Sequence, residues 1–348
     1  MEEFIILKIF FLSTLAFVVA ISWTPLLTNF LYKYRLGKKI RDSKVAPIFA
    51  KMHEKKSGTP TMGGLLIWVT VTAITVIIYY LSVFFNDIWT DFNFLSRSET
   101  LLPLGALVAS ALVGLVDDLV DVNRSSKSGG GLKMRHRLMI YSVIAVFGAL
   151  WFYFKLDWTT LHIPFFGNFD IGWWYIPFFI FVIIATAFSV NEIDGLDGLA
   201  GGTLLTAFAA FGVIAFIQGR YDLAVFCGVI IGALLAFLWF NIHPARFFMG
   251  DTGSMSLGVT LGIIAMLTNY ALLLPVIGFL FVVESLSVIV QLISKKLFKK
   301  KVFISAPFHH HLEASGWQET KIVMRFWVVS GIFSVMGLML FFLDIIQA

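Results

Sequence analysis

Charged residues are scarce in this sequence. Asp, Glu, Lys and Arg together make up 14% of its 348 residues, whereas soluble proteins commonly contain roughly a quarter. Hydrophobic residues make up 59%, and 37 of the residues are Phe. A chain with so few charges cannot cover a soluble globular surface, so the composition predicts an integral membrane protein.

Cysteine and several common motifs are also missing. Cys227 is the only cysteine, which excludes an intramolecular disulfide and a cysteine-based metal centre. The chain has no Walker A loop and no Gly-x-Gly-x-x-Gly after a predicted strand, so ATP hydrolysis and a dinucleotide fold are not supported. Without repeats or a linker rich in Pro, Ser or Gly, we expect one all-α membrane domain over residues 1–348 and no nucleic-acid partner.

Long apolar runs are what the sequence has in abundance. A hydrocarbon core needs about 20 apolar residues per helix, with tolerance at the short end. The stretches that qualify are 5–31, 63–85, 101–116, 137–154, 172–190, 199–217, 223–241, 255–269, 271–293 and 322–346. The sequence therefore predicts ten transmembrane helices.

The basic residues predict the orientation of these helices. Of the chain's 26 Lys and Arg residues, nine lie in 32–62, five in 117–137, one in 242–254 and seven in 294–325. These loops share one side, and the excess of positive charge marks that side as cytoplasmic. With an even number of helices, both termini are expected outside.

One polar stretch interrupts the apolar pattern between Phe237 and Ser254. Its segment Met249-Gly-Asp251-Thr-Gly-Ser254 offers a carboxylate, two hydroxyl groups and glycines that let backbone N–H groups approach a ligand. Such groups suit a metal-bound phosphate. We therefore expect phosphate chemistry at this edge of the membrane.

Further carboxylates fall in the same set of loops. Asp117 and Asp118 follow the third apolar stretch, where a close pair binds a cation, handles a proton or marks a helix that has emerged into water. Asn191, Asp194 and Asp197 lie among glycines that interrupt two helices, and the EF-hand pattern there is incomplete. A polar site is favoured over a plain connector. Acids gathered on one side fit a divalent metal together with phosphate.

Basic and imidazole groups lie in two of these loops. In the first, Lys56-Ser-Gly-Thr-Pro-Thr61 predicts a tight turn where backbone donors and Lys56 hold an anion. In the last, His309, His310 and His311 are neighbours whose side chains point in different directions. They suit hydrogen bonding or proton transfer near neutral pH better than a shared zinc ion.

Five motifs then follow one another in a fixed order. They are Lys56-x-Gly-Thr-Pro-Thr-Met-Gly-Gly64, Asp117-Asp118, Asn191-x-x-Asp-Gly-Leu-Asp-Gly198, Asn241-x-x-Pro-Ala-x-x-Phe-Met-Gly-Asp-Thr-Gly-Ser254 and Pro307-Phe-His-His-His311. By these motifs the chain closely resembles the phospho-N-acetylmuramoyl-pentapeptide transferase family of the polyprenyl-phosphate sugar-1-phosphate transferases. The match runs from about Ile40 to Trp327 and covers every long cytoplasmic loop.

The resemblance implies an enzyme of peptidoglycan synthesis in the bacterial inner membrane. It would transfer phospho-MurNAc-pentapeptide from its UDP carrier to undecaprenyl phosphate, release UMP and form lipid I, with Mg²⁺ as cofactor. A homodimer is left open. Because undecaprenyl phosphate is mostly dianionic near neutral pH, we expect Asp117 to position groups, take a residual proton or bind metal rather than act as a covalent nucleophile.

The resemblance also implies roles for individual residues. Asp251 would be the magnesium ligand, Asp117 and Asp118 an essential pair that could also reach the metal, and the three histidines catalytically important. Phe248 would stack on uracil. With the turn residue Thr61, the basic Lys133 and the acidic Asp197 added from the loops, the expected substrate-binding residues are Lys56, Thr61, Lys133, Asn191, Asp194, Asp197, Asn241 and Phe248.

The second cytoplasmic loop departs from the family pattern. Where the family commonly has Tyr and then Lys after the aspartate pair, this chain has Leu119 and Asp121, and Gly130-Gly-Leu132 replaces Lys-Gly-Leu. The basic residue that contacts the nucleotide phosphates is therefore left open. The candidates are Lys127, Lys133 and Arg137.

Two other functions compete with this interpretation. A related transferase would use another donor such as UDP-GlcNAc, although the turn after Lys56 and the histidine run favour the MurNAc-pentapeptide enzyme. A cation-coupled transporter would need acids near the middle of the membrane. Here nearly all acids fall in loops or at helix ends, with Glu284 as the main exception.

Overall fold

The computed structural model of the protein describes residues 2–37, 56, 58–85, 88–97, 99–123 and 134–347. Helices form most of this part of the chain. In chain order they are α1 (Glu2–Lys33), α2 (Leu65–Phe85), α3 (Ile88–Phe92), α4 (Leu101–Asn123), α5 (Met134–Lys155), α6 (Tyr175–Ile193), α7 (Leu199–Ile217), α8 (Tyr221–Asn241), α9 (Asp251–Leu267), α10 (Leu274–Ile277), α11 (Phe279–Leu297), α12 (Phe308–Ala314) and α13 (Glu319–Gln347). The all-α prediction therefore describes the bundle.

A small hairpin between α5 and α6 is an addition to the predicted fold. Strands β1 (Thr160–Ile163) and β2 (Gly167–Asp170) pair antiparallel, with Thr160 opposite Asp170 and Ile163 opposite Gly167. Single turns of 3-10 helix at Gly172–Trp174 and Ala271–Leu273 precede α6 and α10.

Eight of the described helices are long and apolar enough to cross a membrane, namely α1, α2, α4 to α8 and α13. The bent pair Ala271–Ile277 and Phe279–Leu297 brings the number to nine if it forms one span, and α9 is apolar but shorter. The chain is thus a multi-pass membrane protein. Each predicted apolar stretch coincides with one of these helices, whereas ten crossings and their orientation stay predictions.

The stretch 271–293 differs from the continuous helix that hydropathy predicts. The helix breaks at Gly278, and its two parts are bent by 83°. A Cβ atom at Gly278 would lie 2.7 Å from the ring of Phe281 and 3.0 Å from the carbonyl oxygen of Leu274. Glycine permits this close bend. The mean hydropathy of the stretch does not indicate it, because a bent and a straight apolar helix have the same composition.

Helix α9 lies at the centre of the bundle, with every residue from Thr252 to Leu267 buried. It packs against α4 and α6. Gly114 of α4 faces the start of α9 so closely that a Cβ atom there would overlap the backbone of Asp251. Small residues allow membrane helices to approach in this way. The approach places the last turns of α4, which carry Asp117 and Asp118, beside the first turn of α9.

Candidate active site

Asp118 joins three chain segments at the first turn of α9. Its carboxylate accepts the N–H groups of Asp251 at 3.1 Å and Thr252 at 3.0 Å, and the hydroxyl of Thr61 donates to it at 3.3 Å. The first N–H groups of a helix lack partners within the helix, so α4 supplies this cap. A Cβ atom at Gly250 would lie 2.6 Å from the carboxylate, which explains the glycine. Asp118 therefore orients Asp251.

Arg137, in the first turn of α5, lies among polar groups from three other helices. Its Nε donates to Oδ2 of Asp117 at 2.9 Å, and its Nη2 donates to Oδ2 of Asp251 at 2.6 Å. Its Nη1 donates to Oδ1 of Asn191 at 3.0 Å, and the Asn191 amide in turn donates to Oδ1 of Asp251 at 2.6 Å. We call Asp117, Arg137, Asn191 and Asp251 the acidic centre.

The two carboxylates of the acidic centre are largely buried, and the Arg137 guanidinium is the cation that balances their charge. The Asp117 side chain is 1% exposed and that of Asp251 is 13% exposed, whereas Arg137 is 20% exposed. Buried carboxylates without a cation are costly, so Arg137 offsets charges that burial would otherwise disfavour. The two carboxylates could bind another cation in place of the guanidinium, and the guanidinium could then bind an anion.

The basic residue that reaches the acidic centre is Arg137 rather than a lysine among the described residues. Lys127 and Lys133 lie outside them, so the expected role of Lys133 stays a prediction. The sequence named Arg137 only as one of three candidates. No local signal separates Arg137 from Lys133, which stands four residues earlier in the sequence.

A second cluster forms where three loops meet the start of α13. Lys56 Nζ donates to Oδ1 of Asp197 at 2.7 Å and to Oε1 of Glu319 at 2.5 Å. Oε1 of Glu319 also accepts the N–H of Asp197 at 2.8 Å. His243 Nδ1 lies 2.9 Å from Oδ2 of Asp197 and 3.5 Å from Oε2 of Glu319. We call Lys56, Asp197, His243 and Glu319 the lysine network.

The lysine network keeps Asp197 ionised. Burial alone would raise the pKa of Asp197, but the Lys56 ammonium and hydrogen bonds from the Ala245 N–H and His243 hold that pKa below its usual range. Lys56 Nζ also lies 5.8 Å from the ring centre of Phe248, within reach of a cation–π contact. Two predicted substrate-binding residues, Lys56 and Phe248, are therefore neighbours.

The end of the first cytoplasmic loop runs alongside the stretch that holds Phe248. The N–H of Phe248 donates to the carbonyl of Pro60 at 2.8 Å, and the N–H of Gly63 donates to the carbonyl of Phe248 at 2.7 Å. The N–H of Gly64 donates to the carbonyl of Met249 at 2.8 Å. The tight turn that the sequence predicted after Lys56 is thus joined by backbone hydrogen bonds to the polar stretch before α9.

Asn241 ties this stretch to the loop after α6. Its Oδ1 accepts the N–H of Gly198 at 2.9 Å, and its Nδ2 donates to the carbonyl of Phe247 at 2.8 Å. The residue is 5% exposed. Both ends of its amide therefore hold backbone in place. Its predicted contact with the nucleotide stays a prediction.

The three consecutive histidines lie on α12 and diverge, as their adjacency predicted. His309 Nδ1 is 3.0 Å from Oε2 of Glu284, and His310 Nδ1 is 2.6 Å from Oε2 of Glu313. His311 Nδ1 accepts a backbone N–H from the preceding loop at 3.2 Å. Glu284, which the sequence left unassigned, is completely buried and belongs to this group.

His309 has a second nitrogen that faces the loop after α6. Its Nε2 is buried and has no hydrogen-bond partner among the described residues. A Cβ atom at Gly195, directly after Asp194, would overlap this nitrogen. The Glu284 carboxylate favours a proton on Nδ1, which leaves Nε2 with a free lone pair. His309 is therefore oriented by Glu284 toward the loop that carries Asp194 and Asp197.

Both clusters of described residues contain carboxylates that suit a cation, but only the lysine network brings three acidic or histidine side chains together. Within the lysine network, single ligand atoms of Asp197, His243 and Glu319 lie within 4.8 Å of one another. The Lys56 ammonium already contacts two of these residues. The acidic centre instead offers only oxygen ligands, which Mg²⁺ prefers, and its oxygens already stabilise the guanidinium of Arg137.

Comparison with known proteins identifies the family. A family model described as glycosyl transferase family 4 matches residues 100–269, and a phospho-N-acetylmuramoyl-pentapeptide-transferase signature matches residues 56–67. The protein of that name from Geobacillus thermodenitrificans is 41% identical over 329 residues, which are 93% of this chain and 94% of the relative. This chain belongs to the phospho-N-acetylmuramoyl-pentapeptide-transferase family. The resemblance that the motifs indicated is therefore confirmed.

The matched ranges contain the acidic centre and every residue of the lysine network except Glu319. The relative of the same name from Bacillus subtilis is 38% identical over 334 residues, covering 95% of this chain and 97% of that protein. The family 4 range includes all four residues of the acidic centre, and the shorter signature begins at Lys56 and includes Thr61. The names of the relatives carry no statement about assembly, so a homodimer stays unsupported.

Three residues of the two clusters were not among the expected site residues. The sequence indicates Arg137 only as one of three candidates and does not single out Glu319 or His243. His243 stands within the motif that begins at Asn241, which is a weak signal. Glu319 is an acidic residue in the first turn of a helix, which is too common a pattern to mark a site.

Proposed function

We propose that this protein transfers phospho-MurNAc-pentapeptide from UDP-MurNAc-pentapeptide to undecaprenyl phosphate in the bacterial inner membrane, giving lipid I and UMP. Family membership supports the reaction. The observation that carries it is the acidic centre, where Asp117 and Asp251 share one guanidinium at the N-terminus of a buried helix. Such an arrangement suits a phosphate and the cation that accompanies it.

The reaction exchanges one bond between phosphorus and oxygen for another. An oxygen of undecaprenyl phosphate bonds to the phosphorus that carries the sugar, and the bond from this phosphorus to the oxygen bridging to UMP breaks. Arg137 is placed to hold phosphate oxygens, and the first turn of α9 adds its positive end. Asp117, oriented by Arg137, would position the acceptor and take its residual proton.

The residues of the acidic centre fit the Mg²⁺ that the family resemblance implies. Asp251 and Asp117 would hold the ion, with Arg137 moving to the phosphate oxygens. Asp118 would act on Asp251 through its hydrogen bonds to the start of α9. When bound, the ion would neutralise charge that develops on the departing UMP.

The lysine network and Phe248 would hold the uridine end of the donor. Phe248 offers an aromatic face beside the Lys56 ammonium, which suits a heterocyclic base with carbonyl oxygens. Asn191 would mark the boundary toward the phosphates, because it contacts Arg137 and Asp251.

An apolar cavity between α6 and the bent pair α10 and α11 would receive the polyprenyl chain. Its lining includes Phe178, Phe181, Ala271, Leu274, Phe281 and Val282. Ser189 also lines it, only two positions before Asn191 of the acidic centre. A lipid tail in this cavity would bring its phosphate toward Asp117 and Arg137.

We also propose ten membrane crossings, with both termini outside and the active site on the cytoplasmic face. The helices account for ten crossings if α9 and the bent pair each cross once. The basic loops support the orientation. A cysteine introduced at either end in a Cys227→Ser background would react with a membrane-impermeant thiol reagent added outside intact cells, and protection at both ends would contradict this topology.

The experiment that tests the reaction is UMP release by the purified protein with undecaprenyl phosphate and Mg²⁺. Radiolabelled UDP-MurNAc-pentapeptide should give UMP and a labelled lipid, whereas UDP-GlcNAc should give neither. Turnover of UDP-GlcNAc alone would instead indicate a related sugar-1-phosphate transferase. Ion flux that depends on substrate but releases no UMP would indicate a transporter, although Glu284 is paired with His309 rather than isolated in the membrane.

A further inference from the structure

Glu319 is the point at which separate parts of the chain converge in the lysine network. Its carboxylate contacts the ammonium of Lys56, the backbone N–H of Asp197 and the imidazole of His243. These partners precede Glu319 by 263, 122 and 76 residues, so four distant segments meet at one side chain. A contact of this kind fixes loops relative to one another.

The geometry of the network is specific to a carboxylate. Lys56 lies between Asp197 and Glu319, and the side chains of the three residues are 17%, 4% and 13% exposed. At such low exposure an ammonium held by two carboxylates is restrained more firmly than one held by a single carboxylate. Glu319 also opens α13, where the positive end of the helix favours its negative charge.

Glu319 influences the residues that are predicted to bind the uracil base through Lys56 and Asp197. Lys56 carries the connection to Phe248, since its Nζ lies 5.8 Å from that ring. The N–H of Asp197 carries the connection to the loop after α6, which the amide of Asn241 also holds. Without Glu319, Lys56 would keep Asp197 as an ionic partner but lose the restraint from α13.

We propose that Glu319 is a positioning residue for donor binding: it holds Lys56 and the backbone of Asp197 in the arrangement that receives the uridine end of the nucleotide. This proposal rests on the proposed function, because it assumes that Lys56 and Phe248 bind the nucleotide. Glu319 acts before the chemical step. Its loss should weaken donor binding and leave the turnover of bound donor nearly unchanged.

The discriminating change is Glu319→Gln, which keeps the length of the side chain and an oxygen that accepts from Asp197. The change removes the negative charge that faces Lys56 and, at 3.5 Å, His243. Losing one charge-assisted hydrogen bond predicts donor binding weaker by roughly tenfold. Glu319→Asp keeps the charge but shortens the reach, so it should retain more affinity than Glu319→Gln. Lys321→Gln, an exposed charge removal in the same turn of α13, is the matched control.

The test measures UDP-MurNAc-pentapeptide binding by calorimetry without the lipid acceptor, and KM and kcat for UMP release with it. The expected result is a higher Kd and KM for Glu319→Gln, an unchanged kcat, and wild-type values for Lys321→Gln. In the Lys56→Ala background, Glu319→Gln should weaken binding little further, because its effect passes through Lys56.

Three results would overturn the proposal. These are wild-type Kd in Glu319→Gln, a loss confined to kcat, and full additivity with Lys56→Ala. If Glu319→Gln does not fold, Glu319→Asp answers the question, because equal affinity in Glu319→Asp and the wild type would show that the reach of the side chain is irrelevant. Failure of the proposed function is distinguishable, because the wild-type protein would then neither bind this donor nor release UMP.

Discussion

The acidic centre and the lysine network use similar groups in different settings. In the acidic centre, the guanidinium that α5 carries is held by residues from the ends of three other helices, α4, α6 and α9. In the lysine network, an ammonium is held by carboxylates from a loop and a helix start, with a histidine at the rim. The planar guanidinium of Arg137 makes three hydrogen bonds in a fixed geometry, whereas Lys56 is a point charge on a flexible stem.

This difference indicates a division of labour. Groups fixed on helix ends are suited to the phosphorus atoms, where a small displacement lowers the rate of reaction. Groups carried on loops can adjust to a base and a ribose and then release them. The comparison therefore predicts that changes in the acidic centre lower kcat, and that changes in the lysine network raise the Kd of the donor.

The largest effect is expected for Arg137→Gln. Removal of the guanidinium leaves Asp117 and Asp251 facing one another and removes a donor to phosphate, so kcat for UMP release should fall by about 100-fold to 1000-fold. Donor binding should change by less than about tenfold. Arg135→Gln, an exposed charge removal in the same turn, should behave as wild type.

Thermal unfolding controls for the loss of a buried partner in Arg137→Gln. A folded variant with a normal kcat and a weaker donor affinity would contradict the assignment of catalysis to the acidic centre and of donor binding to the lysine network. It would place Arg137 with the binding groups rather than with the groups that act on phosphorus.

A smaller effect is expected for Glu284→Gln. The carboxylate orients His309 through a 3.0 Å contact with Nδ1, so its loss should lower kcat by about tenfold. Glu99→Gln, at the opposite end of the bundle, is the control and should leave kcat unchanged. An identical kcat in Glu284→Gln and the wild type would mean that the pair only packs α12 against α11.

The smallest effect concerns the pH dependence of stability through Asp197. The pKa of Asp197 is lower in the folded protein than in the unfolded chain, where it is about 3.9. A lowered carboxylate pKa stabilises the fold above the unfolded value, and this contribution is lost as the pH falls through the folded value. Asp197 should therefore contribute no pH dependence between about pH 8 and 5, and stability should decrease below about pH 4.

Melting temperatures of the wild type and Asp197→Asn across this range check the expectation. The variant should be less stable near neutral pH and should show a shallower decrease in acid. A difference between the two proteins that already shrinks near pH 6 would contradict it.

Hydropathy predicted most of the bundle because the length of an apolar run is a local property. Nine of the ten predicted stretches each coincide with one helix, and 271–293 coincides with the bent pair. The bend at Gly278 and the hairpin at 160–170 were not predicted. Both depend on close contacts between particular residues. Hydropathy does not distinguish a bent apolar helix from a straight one, or a polar hairpin from a loop.

The candidate site was predictable where a motif marks it. Asp117, Asn191 and Asp251 were named from their motifs, and the structure joins them through Arg137. Asp118 illustrates the limit, because its partners in α9 lie 133 and 134 residues away. The adjacent aspartates look alike in the sequence, yet Asp117 pairs with a guanidinium and the other caps a helix.

Glu319 was missed for a related reason. A single acidic residue at the start of a helix has an ordinary explanation in the helix dipole, and no local pattern shows that its partners come from three other loops. The packing of α13 against α7, together with the contact of Lys56, brings Glu319 into the network with Asp197.

The central claim, that the acidic centre performs the chemistry while the lysine network binds the donor, is tested most directly with Asp251→Asn. UMP release and the binding of UDP-MurNAc-pentapeptide are measured on the same preparation. We expect release to fall by about 1000-fold while the Kd of the donor changes by less than about tenfold. Wild-type release, or equal losses of release and binding, would contradict the account.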